Sequence, residues 1–158
     1  MEKASVRAAA EAIGIVAVVV SLGFLGLQVK QGNDIAQANM RYDLLMAHNE
    51  FHDLVVSDAE VGVLLSRMGD PESEFTRGET ERVRAIANRM FNQWNAIHGA
   101  YVTGQIPQAV YENLSAPVPP VMSLYPAAIP FWAELLAAYP GVQDYPIQAP
   151  LVRHLGVR

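Results

Sequence analysis

Residues 12–29, from Ala12 to Val29, read AIGIVAVVVSLGFLGLQV, and their only clearly polar members are Ser21 and Gln28. Ala8, Ala9 and Ala10 extend the run to about 20 residues, the length of helix that crosses a bilayer core. Glu11 is the one charge in it, and it falls at headgroup level, where a carboxylate stays hydrated. A transmembrane helix is therefore expected over residues 9–29, preceded by a short flank at 1–8. A cleaved signal peptide is the rival reading, with Lys3 and Arg7 as its basic start. Its apolar core would run only about 7–15 residues, and the nearest small-x-small site, Ala36-Gln37-Ala38, lies too far beyond. A buried helix of a soluble domain fits poorly, because Ile15 to Val20 is apolar all round and a chain this short could not cover it.

One face of the span carries a pattern. Ala10, Gly14, Ala17 and Ser21 follow at spacings of 4, 3 and 4, so they line one stripe, which Gln28 continues. Small residues let a second helix approach closely, and dispersion contacts drive association where water is absent. The stripe is the candidate helix-packing interface, although Gly and Ala are also simply common in such helices. The basic flanks are nearly even: Lys3 and Arg7 before the span, Lys30 and Arg41 after it. The short basic N-terminus leans to the cytoplasmic side, which puts the following domain on the periplasmic side.

Composition narrows the function classes. Only 17% of the 158 residues are charged, below the roughly 25% of globular chains. Net charge is −5, which gives nucleic-acid binding no electrostatic support. After the span the chain is acidic, with nine Lys/Arg from Lys30 onward against fourteen Asp/Glu from Asp34 onward. There is no cysteine, which excludes disulfides, zinc–thiolate sites, iron–sulfur clusters and thiol nucleophiles.

Residues 30–115 read as a helical domain. Gly32-Asn33-Asp34 is either a break or a soft spot in a helix continuing from the span. Met40, Leu44, Ala47, Phe51, Leu54 and Val55 then recur at helical spacing to about Val56. Asp58 can cap a short helix whose apolar face is Val61, Leu64, Leu65 and Met68, with Gly69 as its stop. Thr76 and Glu79 form a capping box. The helix they open has the stripe Val83, Ile86, Ala87, Met90, Trp94, Ile97 and Tyr101, and Gly104 ends it. Its Trp and Tyr read as core, with a binding platform as the rival. Pro107 fits the first turn of another helix, with Val110, Tyr111 and Leu114 inward. Residues 116–158 are Pro-rich. Ala116-Pro117-Val118-Pro119-Pro120 reads as extended or polyproline-like. One short helix, Phe131 to Ala138, should start at Pro130, followed by an irregular tail that is either disordered or laid along a neighbour. No run shows strand alternation outside the span. The fold class is thus all-α: one N-terminal transmembrane helix, a small helical bundle and a Pro-rich irregular C-terminal tail.

No chemistry stands out. His48 and His52 stand four apart on a helix, a spacing that can chelate a metal. Yet the text is HNEFH, not the HExxH of zinc proteases, and no third ligand is indicated, so no metal site is assigned. His98 lies on another helix, and His154 has no pattern around it. P-loop, Gly-x-Ser-x-Gly and Gly-x-Gly-x-x-Gly motifs are absent. Glu72/Glu74 sit in a loop, and Glu79/Glu81 in a first helical turn, where carboxylates favour the positive helix end. Arg77, Arg82, Arg84 and Arg89 alternate with Glu79 and Glu81, which reads as a solvated, salt-bridged face rather than an anion or lipid-headgroup site. No catalytic residue and no cofactor is assigned.

The layout resembles a family of uncharacterised bacterial single-pass membrane proteins of unknown function. The residues that carry the resemblance are the span running into a long helix, then Phe75-Thr76-Arg77-Gly78-Glu79-Thr80-Glu81-Arg82. Asn92-Gln93-Trp94, the stretch Tyr101 to Pro107, Tyr111-Glu112-Asn113-Leu114 and Phe131-Trp132-Ala133-Glu134 complete it. Such proteins often carry an acidic residue soon after the turn glycine, where this chain has Gln105 and Pro107. The resemblance implies a helical fold and membrane attachment, and supplies no activity or site residues.

The expected role follows from the small-residue stripe, the lack of catalytic motifs and the apolar Pro-rich tail. It is that of a non-enzymatic accessory subunit of a larger integral membrane complex, respiratory or photosynthetic, in a bacterial inner membrane. Its partners would be other membrane subunits and the lipid bilayer, not nucleic acid. The alternative is a membrane-tethered sensor or ligand-binding domain, which requires a cavity near Trp94, Tyr101 and His98. A metal-dependent enzyme using His48 and His52 is a third, weaker possibility.

Overall fold

The structure is a computed structural model that describes the backbone of residues 2–156 and the side chains of residues 11–156. It is all-α, with no strand among the described residues. Among the described residues seven α-helices follow in chain order: α1 Glu2–Ser57, α2 Ala59–Met68, α3 Arg77–Val102, α4 Gln108–Ser115, α5 Val118–Leu124, α6 Ile129–Ala138 and α7 Ala149–Leu155. Short 3₁₀ turns at Pro126–Ala128, Pro140–Val142 and Pro146–Gln148 join the last of them. The chain divides into two compact units, Met1–Asn39 and Met40–Arg158.

The first unit is helical throughout its described residues. Gly32-Asn33-Asp34 does not break it. The first 70 residues hold no proline, and one glycine inside a helix costs only about 1 kcal/mol against alanine. Among the described residues this helix is the one that is long and apolar enough by itself to cross a membrane, and it lies near the N-terminus. The α4–α5 segment and α6 reach that threshold only when taken together across a 94° bend. Their residues Val118, Met122, Trp132 and Leu136 are buried in the domain core, which is what their apolarity serves.

The second unit packs around α3, which contacts α2, α4, α6 and the turn at Pro146–Gln148. The stripe read from the sequence is the one that is buried: Val83, Ile86, Ala87, Met90, Trp94 and Ile97, with Tyr101 at its half-buried end. Phe91, His98 and Ala100 are buried beside it, because elements pack against α3 on more than one side. Leu44 of α1 joins the same core, with Met40, Phe51 and Val55 partly buried against it. Met68, Val83, Phe91, Trp132 and Leu151 have essentially no exposed surface. Burial of each such side chain stabilises by about 1.5–3 kcal/mol.

Local signals work as their chemistry dictates. The Asp58 carboxylate accepts from the amides of Glu60 at 2.9 Å and Val61 at 3.3 Å, capping α2. At the start of α3 the Thr76 hydroxyl accepts from the Glu79 amide at 3.3 Å, and the Glu79 carboxylate accepts from the Thr76 amide at 2.8 Å. α3 stops before Gly104, whose φ of 72° is left-handed backbone that suits glycine.

Residues 116–158 correct the expectation of a single short helix and an extended tail. The segment forms α5, α6 and α7 and the three 3₁₀ turns, and it supplies Val118, Met122, Trp132, Leu136, Ile147 and Leu151 to the core. Its prolines start turns rather than prevent them. Pro119 and Pro120 stand in the first turn of α5, Pro130 in that of α6 and Pro150 in that of α7. First-turn amides have no acceptor inside the helix, so the missing proline N–H costs nothing there. The described part of the tail packs on its own domain: Ile147 and Leu151 are buried in the core, and the Gln148 side-chain amide donates to the Asn95 side chain of α3 at 2.7 Å. In α6 the Trp132 indole donates to the Ala87 carbonyl of α3 at 2.9 Å, with both groups buried.

Candidate functional site

Each unit offers one surface of interest. In the first, every described side chain from Glu11 to Ala36 is exposed. Gly14, Ala17 and Ser21 lie on the helix at their expected spacing. Ala10 belongs to the same helix, but its side chain falls outside the described residues. The Ser21 hydroxyl donates to the Ala17 carbonyl at 2.7 Å, so the stripe presents no unsatisfied polar group there. Gly14 leaves a shallow notch flanked by Glu11, Ile15, Val18 and Val19, and a Cβ at Gly14 meets nothing within 4 Å.

In the second unit, a groove of about 320 Å³ opens between α1, α3 and the α4–α5 corner. Apolar side chains form most of its lining, among them Leu45, Phe51, Trp94, Ile97, Leu114 and Val121. Its polar lining is His48, Arg89, Gln93 and Asn113. Arg89 is paired with Glu50 at 3.1 Å, and the Gln93 amide donates to the Leu44 carbonyl at 3.1 Å. The Trp94 ring lies 5.1 Å from that of Trp132, so core packing holds the wall of the groove.

His48 and His52 do come together. Their Nε2 atoms stand 3.1 Å apart, and the rings meet edge to face at 4.7 Å. Partial burial, and then the neighbouring His52, lower the His48 pKa, so the neutral ring is favoured. Among the described residues no group of three or more His, Asp or Glu side chains converges in a way that could hold a metal.

His98 lies elsewhere, in an aromatic cluster rather than in the groove. Its ring is 4.1 Å from Tyr145 and its Nδ1 is 3.4 Å from the Tyr111 hydroxyl. Tyr101 stacks on Tyr111 at 4.4 Å. Burial lowers the His98 pKa and raises that of Tyr111. Of the three residues around which a cavity was anticipated, Trp94 lines the groove. The helical stripe could not show that Tyr111 and Tyr145 would fill the space beside His98 and Tyr101, since both arrive from later elements.

Three exposed arginines of α3 bind across elements: Arg82 to Glu60, Arg84 to Glu134, and Arg89 to Glu50. Arg67 of α2 bonds Glu79 and the Glu74 carbonyl. Exposed pairs of this kind fix orientation more than they stabilise. His154 is exposed on α7. No protein-family model matches the chain, and no curated protein or solved structure matches it significantly.

Proposed function

We propose that this chain is a non-enzymatic accessory subunit of a larger assembly in a bacterial inner membrane. In this reading it is a single-pass protein with its N-terminus in the cytoplasm and its domain in the periplasm, akin to the uncharacterised single-pass proteins its layout resembles. The observation that carries the reading is the complete exposure of residues 11–36, which include the apolar span. In this reading lipid and neighbouring helices cover that surface, which the described chain leaves exposed. The notch at Gly14 supports a helix along that one stripe, because small residues let a second helix approach closely. The C-terminal segment, folded on its own domain, no longer counts in favour of this role.

Purification in a mild detergent should recover the chain in a stable large complex, whose other members mass spectrometry identifies. Recovery as free monomer only overturns the proposal. Gly14→Leu is the sharpest variant, because a Cβ added there meets nothing within 4 Å. It should reduce the recovered partners while leaving the helical content unchanged.

A second reading, a membrane-tethered ligand-binding domain, is favoured by the groove beside Trp94. The two readings are compatible, since one uses the span and the other the domain.

A further inference from the structure

The groove in the second unit has a definite character. Phe51, Trp94, Leu114 and Val121 give it apolar walls, and its volume of about 320 Å³ sits at the lower end of small-molecule sites. A protein helix, about 10 Å across with its side chains, is too large for it. Arg89 is the one formally charged residue in its lining, and Glu50 already neutralises it. An ionised occupant would therefore find no unpaired counter-charge in this lining, so the apolar walls favour an uncharged one. The Gln93 amide is committed to the Leu44 carbonyl. Of the remaining polar lining groups, the exposed Asn113 amide offers a donor and an acceptor, and the His48 imidazole can act as either. The His48 Nε2 faces the His52 Nε2 at 3.1 Å, one ring donating and the other accepting. The remaining ring nitrogen of His48 is a donor in one tautomer pair and an acceptor in the other.

Building on the ligand-binding reading, we propose that this groove binds an uncharged, mostly apolar small molecule whose single hydrogen-bonding oxygen is received by His48. Phenols and other lipid-soluble alcohols or ketones have this chemistry. The hydrocarbon part lies against Phe51, Trp94 and Leu114, and the oxygen meets an imidazole whose polarity the His52 partner can reverse. The bilayer concentrates such molecules around a chain anchored in it.

The test is equilibrium dialysis of labelled 4-butylphenol against the full chain in phosphatidylcholine nanodiscs, with empty nanodiscs as the blank and labelled octanoate as the anionic counterpart. The expected result is saturable binding of the phenol at one site per chain, with octanoate not competing. Asn113→Trp, an exposed position on the groove wall, should abolish it by filling the groove. His48→Phe keeps the ring and removes the hydrogen bond, and should weaken binding about tenfold. Saturable binding of octanoate in preference to the phenol overturns the uncharged class but leaves the ligand-binding reading standing. Saturation by neither probe overturns both. Phenol binding that neither substitution changes overturns the placement in this groove. Circular dichroism of both variants confirms that each stays folded.

Discussion

Gln148 is fully buried, and its Oε1 has no hydrogen-bond partner among the described residues. Its amide nitrogen donates to the Asn95 side chain of α3 at 2.7 Å. A buried polar group left without a partner costs about 1–3 kcal/mol, whereas Gln148→Leu removes the buried amide and leaves only the half-buried Asn95, which water can reach. Asn95→Ala should therefore destabilise by about 1–3 kcal/mol, while Gln148→Leu should change stability by less than about 1 kcal/mol. Denaturant titration of the two variants side by side checks the ordering, and the reverse ordering would show that this bond is not what holds Gln148. His98 gives a second residue-level expectation. Its folded pKa is depressed by burial, so the neutral ring is the one the fold favours. A depressed histidine contributes fully above its ordinary value of 6.5, and that contribution falls as pH drops below it, because the unfolded chain then binds the proton more readily. His98→Phe should flatten the loss of thermal stability on acidification below pH 6.5. At this scale Trp94 was legible, since it falls on a helical stripe. Gln148 was not, because a polar residue in a Pro-rich segment gives no periodic sign that it will be buried.

At the scale of the element, α3 shows how much one start signal sets. Thr76-Arg77-Gly78-Glu79 places an acceptor hydroxyl three residues before a carboxylate, and both reciprocal bonds form. The Thr76 amide, the Arg67 guanidinium and the Thr76 hydroxyl hold the Glu79 pKa down, from 4.5 to about 2. A depressed carboxylate contributes fully above its ordinary value and loses that contribution as pH falls towards the folded one. Glu79→Gln should therefore lower the melting temperature at neutral pH and make it less dependent on pH between about 4.5 and 2. Thr76→Ala should cost about 1 kcal/mol through the lost cap. Caps and apolar stripes made α2 and α3 readable because both signals act within a few residues. The Pro-rich segment misled for the opposite reason. A proline's position in its turn decides whether it breaks or begins a helix, and for α5 that position depends on Val118 and Met122 reaching a core built by α3. The site was only partly legible on the same grounds. The helical spacing brings His48 and His52 together from local geometry alone, but the groove beside them needs α1, α3 and the α4–α5 corner to meet.

For the whole molecule, the division at Asn39 and Met40 separates two ways of satisfying apolar surface. In the first unit the described apolar side chains are exposed and depend on what surrounds the chain, whereas in the second they converge on Trp132, Phe91 and Leu151. Most of the cross-element hydrogen bonds and ion pairs named above belong to residues after Met40, including Arg89–Glu50, Gln93–Leu44 and Trp132–Ala87. The start of the second unit is itself helical and brings Leu44 and Phe51 to that core, so cutting the chain at Met40 removes none of the core side chains. A chain beginning at Met40 should accordingly be water-soluble and helical and should unfold cooperatively, with a stability in the usual range of about 5–15 kcal/mol. Coincident melting curves by far-ultraviolet circular dichroism and tryptophan fluorescence check this, since Trp94 and Trp132 report the core directly. A broad, non-coincident transition in the shortened chain would show that the domain needs residues 1–39 to fold.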